Sequence, residues 1–425
     1  MTVLVLHHRG SLAGAPYDEW LADYDGDVLL LASAEHLRLV GEELPSDHGY
    51  RHVEAIEGYE TSGRVEARAL ALAREHDVRY VIACQEQDLE RAAQLREILG
   101  LPGQTYASVL PFRNKVLMKD ILAAAGVPVA TYAAVECAVD IVAFAERVGY
   151  PIVVKPRDAA GSVGVRILHS PSELDEYLAG EADGQGRGQL NLMVESFVPG
   201  SMCFVDGLVI DGKITYGWAA RYLFAVAGFA ADRGGRHSVT LDRDDPLAHR
   251  LVELIDTSLA ALPGPRDFTF HAEVFETPDG EVVLNEIACR TGGANIRGMV
   301  KTVAGIDPTE CWVRAQVGLP LPEVITGQRL WPTRMAGQIV FNKRAGTVVR
   351  VPGPPPFDWV QAANLFVQAG DVMGGSQFSS DFLAGFVVSG PDQRTCRDRL
   401  TALESWFLAG LEIAEGPAGT ELAAS

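Results

Sequence analysis

The stretch FTFHAEVFETPDGEVVLNEIACRTGG, Phe268 to Gly293, decides how this chain is read. Apolar residues alternate on both sides of Pro278-Asp279-Gly280, and Asp-Gly between two alternating runs is a strong hairpin signal. Each strand carries one acid, Glu273 and Glu286, and pairing about the turn brings both carboxylates to one face. Adjacent carboxylates repel unless a cation lies between them. Mg²⁺ in phosphoryl-transfer sites is held in this way, by one or two carboxylates plus phosphate oxygens. Arg290 and Gly292-Gly293 follow directly. Taken alone, the same residues also describe a surface hairpin with solvated acids.

Working outward, the run YPIVVKPRDAAGSVGVRIL (150–168) is an apolar strand ending in Lys155, then a loop of small residues, then a second strand. The loop holds Ala159, Ala160, Gly161, Ser162 and Gly164. Small residues leave backbone N–H groups free to surround phosphate oxygens, and the lysine supplies charge. The loop lacks the Gly-Lys-Ser/Thr ending of a P-loop and opens no helix. Earlier, Lys115 starts a helix in PFRNKVLMKDILAAAGVPVATY, where an ordinary solvated lysine is the plain alternative. Later, LMVESFVPG places Glu195, Phe197 and Val198 at the end of an apolar strand, which also fits a plain strand edge.

In order, Lys115, Lys155, the small-residue loop, Glu195-Ser-Phe-Val, Glu273, Glu286 and Arg290 resemble the ATP-grasp superfamily, most of all its carboxylate–amine and L-amino-acid ligases. The resemblance covers roughly residues 110–300. It implies an α/β fold of α+β lobes in four parts. These are an N-terminal parallel α/β domain (1–108), a lid lobe (109–198), a central catalytic lobe (199–325) and a C-terminal α+β lobe (326–425). Lys115 and Lys155 would contact the α- and β-phosphates of ATP, and the loop with Ala160, Gly161, Ser162 and Gly164 would close over them. Glu195 would accept from the adenine amino group, with backbone groups of Phe197 and Val198 at the adenine edge. Glu273 and Glu286 would bridge Mg²⁺ (or Mn²⁺) to the β- and γ-phosphates. Arg290 and Lys155 would be catalytic, Arg290 stabilising the transferred phosphoryl group, and Gly292 and Gly293 would let substrate approach the backbone.

Two positions depart from the family pattern. Ala288 stands where an asparagine usually follows the second metal acid, and Met202 where a glutamate usually binds the ribose. Asp206, or a residue not identifiable from the sequence, takes over the ribose role in this reading. The segment RYLFAVAGFAADRGGRHSVTL (221–241) reads either as a wall of the substrate cleft, with Arg233 and His237 binding a carboxylate, or as a mobile surface loop.

Composition narrows the partners. The chain has 425 residues, 48% of them hydrophobic, enough to bury a large core split into several lobes. A formal net charge of −20 with no basic stripe argues against nucleic acid and anionic membranes. Cys84, Cys137, Cys203, Cys289, Cys311 and Cys396 show no Cys-x-x-Cys spacing, as expected of mostly buried, reduced thiols in a cytoplasmic enzyme. MTVLVLHHRGSL reads as a first buried strand, not a signal peptide, with His7 and His8 leaving the strand end into a loop. No run approaches 18 apolar residues. GEADGQGRGQ (180–189) reads as a solvent loop and GPAGTELAAS (416–425) as a disordered tail.

The expected activity is ATP- and Mg²⁺-dependent joining of a small-molecule carboxylate to an amine, both amino acids or amino-acid-like, through an acyl phosphate, releasing ADP and phosphate. A homodimer is the commonest assembly on symmetry grounds. The rival readings are a biotin-dependent carboxylase subunit, a small-molecule kinase, or a non-catalytic ATP sensor.

Overall fold

Between Val3 and Leu6 the first strand carries no polar side chain, and such a run is stable only when buried on both faces. In the computed structural model, which describes residues 1–46, 49–180, 191–224, 234–376 and 381–414, this run is β1 (Thr2–His7) of a parallel sheet. β2 (Asp27–Ser33), β3 (His52–Ile56) and β4 (Val78–Ala83) complete it in the order β3-β2-β1-β4. Alternate residues serve two cores. Leu4, Leu6, Leu29 and Leu31 pack with Ala69, Leu72 and Leu95 from the helices Arg64–Glu75 and Asp88–Leu99. Val3, Val5 and Leu30 belong to the largest core, which continues through Phe204, Phe270 and Trp312. The N-terminal sheet is therefore fastened to the rest of the molecule by shared apolar burial. His7, at the end of β1, is buried with its Nδ1 3.1 Å from the Tyr17 hydroxyl, and burial pushes its imidazole down to about 4.

A second sheet holds β5 (Tyr132–Val135), β6 (Ile152–Pro156), β7 (Arg166–Leu168) and β8 (Leu192–Ser196), antiparallel in the order β5-β8-β6-β7. It has its own small core of Val135, Ile141, Phe144, Ile152, Val154, Leu174 and Val194.

The remaining strands are β9 (Ser201–Ile210), β10 (Lys213–Tyr222), β11 (Arg236–Thr240), β12 (Phe268–Glu276), β13 (Val282–Ala288), β14 (Met335–Asn342), β15 (Gly346–Arg350), β16 (Val360–Leu365), β17 (Val372–Met373), β18 (Phe382–Gly390) and β19 (Glu412–Ala414). Eight of them form one sheet, β13-β12-β9-β10-β11-β14-β18-β16. Residues 199–325 and 326–425, expected as separate lobes, share this sheet: β11 pairs with β14, Arg236 opposite Val340. Pairing between segments so far apart in sequence leaves no local pattern. The helix Gln393–Gly410, capped by the Asp392 side chain, packs Leu400, Leu403 and Phe407 into the core beneath β14 and β18.

Among the described residues, no helix is long and apolar enough to cross a membrane. The expected solvent loop at 180–189, beyond its first residue, and the expected tail at 416–425 lie outside the described residues.

Candidate active site

The hairpin β12–β13 forms around Thr277–Glu281, where Gly280 takes the left-handed backbone (φ 80°) that glycine tolerates without penalty. Glu273 stands opposite Glu286, so the two acids meet as the alternation predicts. The ladder then slips: Val274 faces Leu284, and Asn285 is the extra residue of a bulge. The bulge brings the Asn285 carboxamide to the same side as the acids. Lys155 Nζ donates to its Oδ1 (3.1 Å), and its Nδ2 donates to Glu273 Oε2 (3.3 Å). Strict alternation assigns 285 and 286 to opposite faces, so the sequence carries no sign of this residue. Ala288, the departure from the family pattern, is buried and apolar. Asn285 is the carboxamide that reaches the site instead.

Asn114 caps the helix Lys115–Ala124, accepting from the N–H groups of Val116 and Leu117. Lys115 begins that helix with its ammonium 3.1 Å from Glu286 Oε2, and it also donates to Ala159 O (2.6 Å). One lysine thereby holds the small-residue loop down onto Glu286. Ala159 and Ala160 line a cleft with Glu86, Arg113, Lys115 and Glu286. Ser162, Gly161 and Gly164 turn the loop through left-handed conformations. Burial raises the Glu286 carboxyl, but Lys115 and Lys155 outweigh it and the net shift is downward.

Lys155 also pairs with Glu195, Nζ to Oε1 at 2.6 Å, and the other Glu195 oxygen lies 3.2 Å from the ammonium of Lys119. Glu195 is buried, and its expected adenine-facing carboxylate is engaged with two lysines in this structure. Lys119 was not singled out from sequence, although it follows Lys115 by one helical turn on the same face. The Phe197 N–H, offered to the adenine edge in the sequence reading, donates to Pro151 O (3.1 Å).

Arg290 donates from Nε to Glu86 Oε2 (2.6 Å), and Glu86 pairs with Arg113 as well. Glu86 follows β4 in the N-terminal sheet, 204 residues from its partner, too far for any sequence signal. Burial alone would raise the Glu86 carboxyl, but Arg290 and Arg113 bring it down to about 2. A carboxyl depressed on folding stabilises the protein above its ordinary range, and that contribution fades as pH falls toward the folded value. Thermal stability should therefore drop between the ordinary 4.5 and about 2. A melting series across this window should give a shallower slope for Glu86→Gln, and an unchanged slope would refute the assignment.

Asp206, the sequence candidate for the ribose role, is turned toward the base of the hairpin. It is buried, its carboxylate 3.1 Å from His271 Nδ1, and its Oδ1 accepts from the Gly292 N–H (3.2 Å). Burial lowers the His271 imidazolium, yet Asp206 prevails and raises it to about 10. His271 Nε2 lies 3.7 Å from Glu273 Oε1, and the Tyr222 hydroxyl donates to the same oxygen (3.3 Å). Glu273 is thus oriented from behind.

The two glycines differ. A Cβ on Gly292 would sit 2.6 Å from Asp206 Oδ1 and 2.8 Å from Ile296, whereas one on Gly293 meets nothing within 4 Å. Gly292→Ala should cost roughly 1–3 kcal/mol and lower Tm, with Gly293→Ala near neutral; equal melting of the two would overturn this account.

Of the other candidate substrate residues, Arg233 lies outside the described residues. His237 ion-pairs with Glu404 of the C-terminal helix, Nε2 to Oε2 at 2.9 Å. Cys289, directly after β13, is fully buried with its thiol pushed up to about 12 by burial, as expected of a small core residue. Among the described residues, no three His, Cys, Asp or Glu side chains converge as a metal cage. Two facing carboxylates beside lysines fit a divalent ion that arrives with phosphates, since Mg²⁺ keeps most of its other ligands as water and phosphate.

Residues 114–202, which contain both lysines, the loop and Glu195, match the family described as Carbamoyl-phosphate synthase L chain, ATP binding domain. The whole structure is similar to that of L-amino acid ligase from Bacillus licheniformis, with a TM-score of 0.76 over 98% of this chain and 99% of that one, at 18% identity. This is the ATP-grasp fold. The same ATP-grasp arrangement relates it to the biotin carboxylase domain of 2-oxoglutarate carboxylase from Hydrogenobacter thermophilus (TM-score 0.69, 16% identity, 97% of this chain and 90% of that one). In sequence, the chain is 30% identical over 228 residues to the L-arginine-specific L-amino acid ligase of Bacillus subtilis, 52% of this chain and 54% of that protein. It is 37% identical over 109 residues to a D-alanine–D-alanine ligase of Geobacter sulfurreducens, 25% of this chain and 33% of that protein. The chain spans about half the length of the curated relatives it matches.

Proposed function

We propose that the protein is an ATP-dependent carboxylate–amine ligase that joins an amino acid or amino-acid-like carboxylate to an amine. The observation that carries this reading is the set of charges gathered from four parts of the chain. Lys115 and Lys155 meet Glu286 and Asn285 of the hairpin, and Arg290 stands beyond them on Glu86. Lys115 and Lys155 bind the phosphates, and Ala159–Gly164 covers them. Glu273 and Glu286 would hold Mg²⁺, or Mn²⁺, which would supply charge neutralisation at the phosphates. Arg290 stabilises the γ-phosphoryl group as the substrate carboxylate attacks. The product is an acyl phosphate, which hydrolyses in water, so a covering loop over the cleft protects it. An amine then displaces phosphate and forms the amide. Relatives named as ligases of L-amino acids and of D-alanine support this substrate class.

Phosphate release from ATP across a matrix of amino acids and small carboxylates, with hydroxylamine as a general amine, tests the proposal. Acid-dependent ADP formation with a hydroxamate product is expected. Turnover with bicarbonate alone would favour the carboxylase reading, and a stably phosphorylated product the kinase. No ADP with any pair would overturn the ligase.

A further inference from the structure

Lys119 is the one ammonium of the site that the sequence pattern leaves without a duty. It is fully buried, and its Nζ lies 3.2 Å from Glu195 Oε2, close enough for an ion pair but off the line of a hydrogen bond. Glu195 is buried too, with Lys155 on its other oxygen at 2.6 Å. The nucleotide reading requires Lys155 to meet a phosphate. A phosphate and Glu195 sharing a single ammonium would leave an excess negative charge in a volume with little water, which is costly. A second cation removes that excess.

We infer that Lys119 is the resident counter-ion of Glu195, a positioning residue that keeps the carboxylate ionised and in place so that Lys155 is free to neutralise a phosphate. The inference rests on the proposed nucleotide site and adds to it a residue outside the motif set. The geometry explains why the helix starting at Lys115 carries a second lysine one turn on. Lys115 points to the hairpin and the small-residue loop, Lys119 to the base of β8. Lys155 from β6 and Lys119 from the helix face Glu195, and Tyr132 lies opposite it on β5.

The test is a double-mutant cycle on the full chain with Lys119→Met, Glu195→Gln and the pair together, read by melting without nucleotide and by ATP affinity in calorimetry. Lys119→Met should lower the melting midpoint clearly and weaken ATP about 10-fold or more, since it leaves Glu195 competing with phosphate for Lys155. In the Glu195→Gln background the same change should do little, because no carboxylate remains to be neutralised. Compared with the parent at the same pH, Lys119→Met should regain ATP affinity as pH falls and Glu195 takes up a proton.

Equal losses in both backgrounds would overturn the counter-ion role. Should Lys119→Met fail to fold while the double variant folds, the coupling is shown directly. A parent protein that binds no ATP would sink the nucleotide reading and this role with it. The nucleotide-free melting cycle tells that failure apart from absence of the Lys119–Glu195 coupling.

Discussion

Glu286→Gln should bind ATP in the absence of metal at least as tightly as the parent, yet release ADP at least about 10³-fold more slowly. The two halves of this expectation have different causes. In the nucleotide-free protein, Lys115 is held by Glu286 at 3.1 Å, so the acid competes with phosphate for that ammonium. A neutral glutamine removes the competition and keeps the shape. Turnover depends on the opposite property, a carboxylate that brings a divalent ion against the moving phosphoryl group. Losing that ion's stabilisation costs several kcal/mol of barrier, and each 1.36 kcal/mol is tenfold in rate. Calorimetry with and without Mg²⁺, alongside single-turnover ADP formation, separates the two. Loss of metal-free ATP binding in Glu286→Gln would show that Glu286 does not compete with phosphate for Lys115. Retained turnover would remove the residue from the metal site.

The same exchange makes metal and nucleotide binding interdependent. ATP alone would take Lys115 and leave Glu286 a poorly paired carboxylate, and Mg²⁺ alone would leave Lys115 poorly paired. Each ligand relieves the deficit the other creates, which is a favourable coupling between them.

Arg290→Met should lower the rate of phosphoryl transfer by about 10³-fold or more while ATP affinity changes only a few-fold. The guanidinium donates to Glu86 and to the Thr291 carbonyl, so it is held in a fixed orientation before substrate arrives. A group preorganised in this way serves the transition state more than the ground state. Folding should survive, because Arg113 continues to pair with Glu86 when Arg290 is gone. Arg290→Lys should recover little, since an ammonium cannot reproduce the planar fork that reaches Glu86 and Thr291 together. Rate and affinity falling in parallel would mean that Arg290 binds ground-state nucleotide and has no special role in transfer.

The residues proposed to carry the chemistry are legible because each sits in a local pattern. Glu273 and Glu286 fall where a two-residue period and an Asp-Gly turn place them, and the structure pairs them opposite each other. Lys155 ends an apolar strand before a loop of small residues, and that loop does join β6 to β7. Lys115 opens a helix behind an asparagine cap. Periods, turns and caps are properties of a few neighbouring residues, so the chain displays them before it folds.

What closes around these residues belongs to the tertiary structure. Glu86 meets Arg290 across 204 residues, and Asp206 reaches the Gly292 backbone from β9. Asn285 enters the site through a one-residue slip in register. Lys119 finds Glu195 only when a helix packs against a sheet. The local pattern settles which side chains share a face of one strand or helix, and hence the order of lysines, acids and arginine along the chain. Which buried charges neutralise one another, and whether 199–325 and 326–425 are one sheet or two lobes, depends on packing between distant segments. The cost of an unpaired buried charge enforces those pairings in the folded chain, and no short-range periodicity records them.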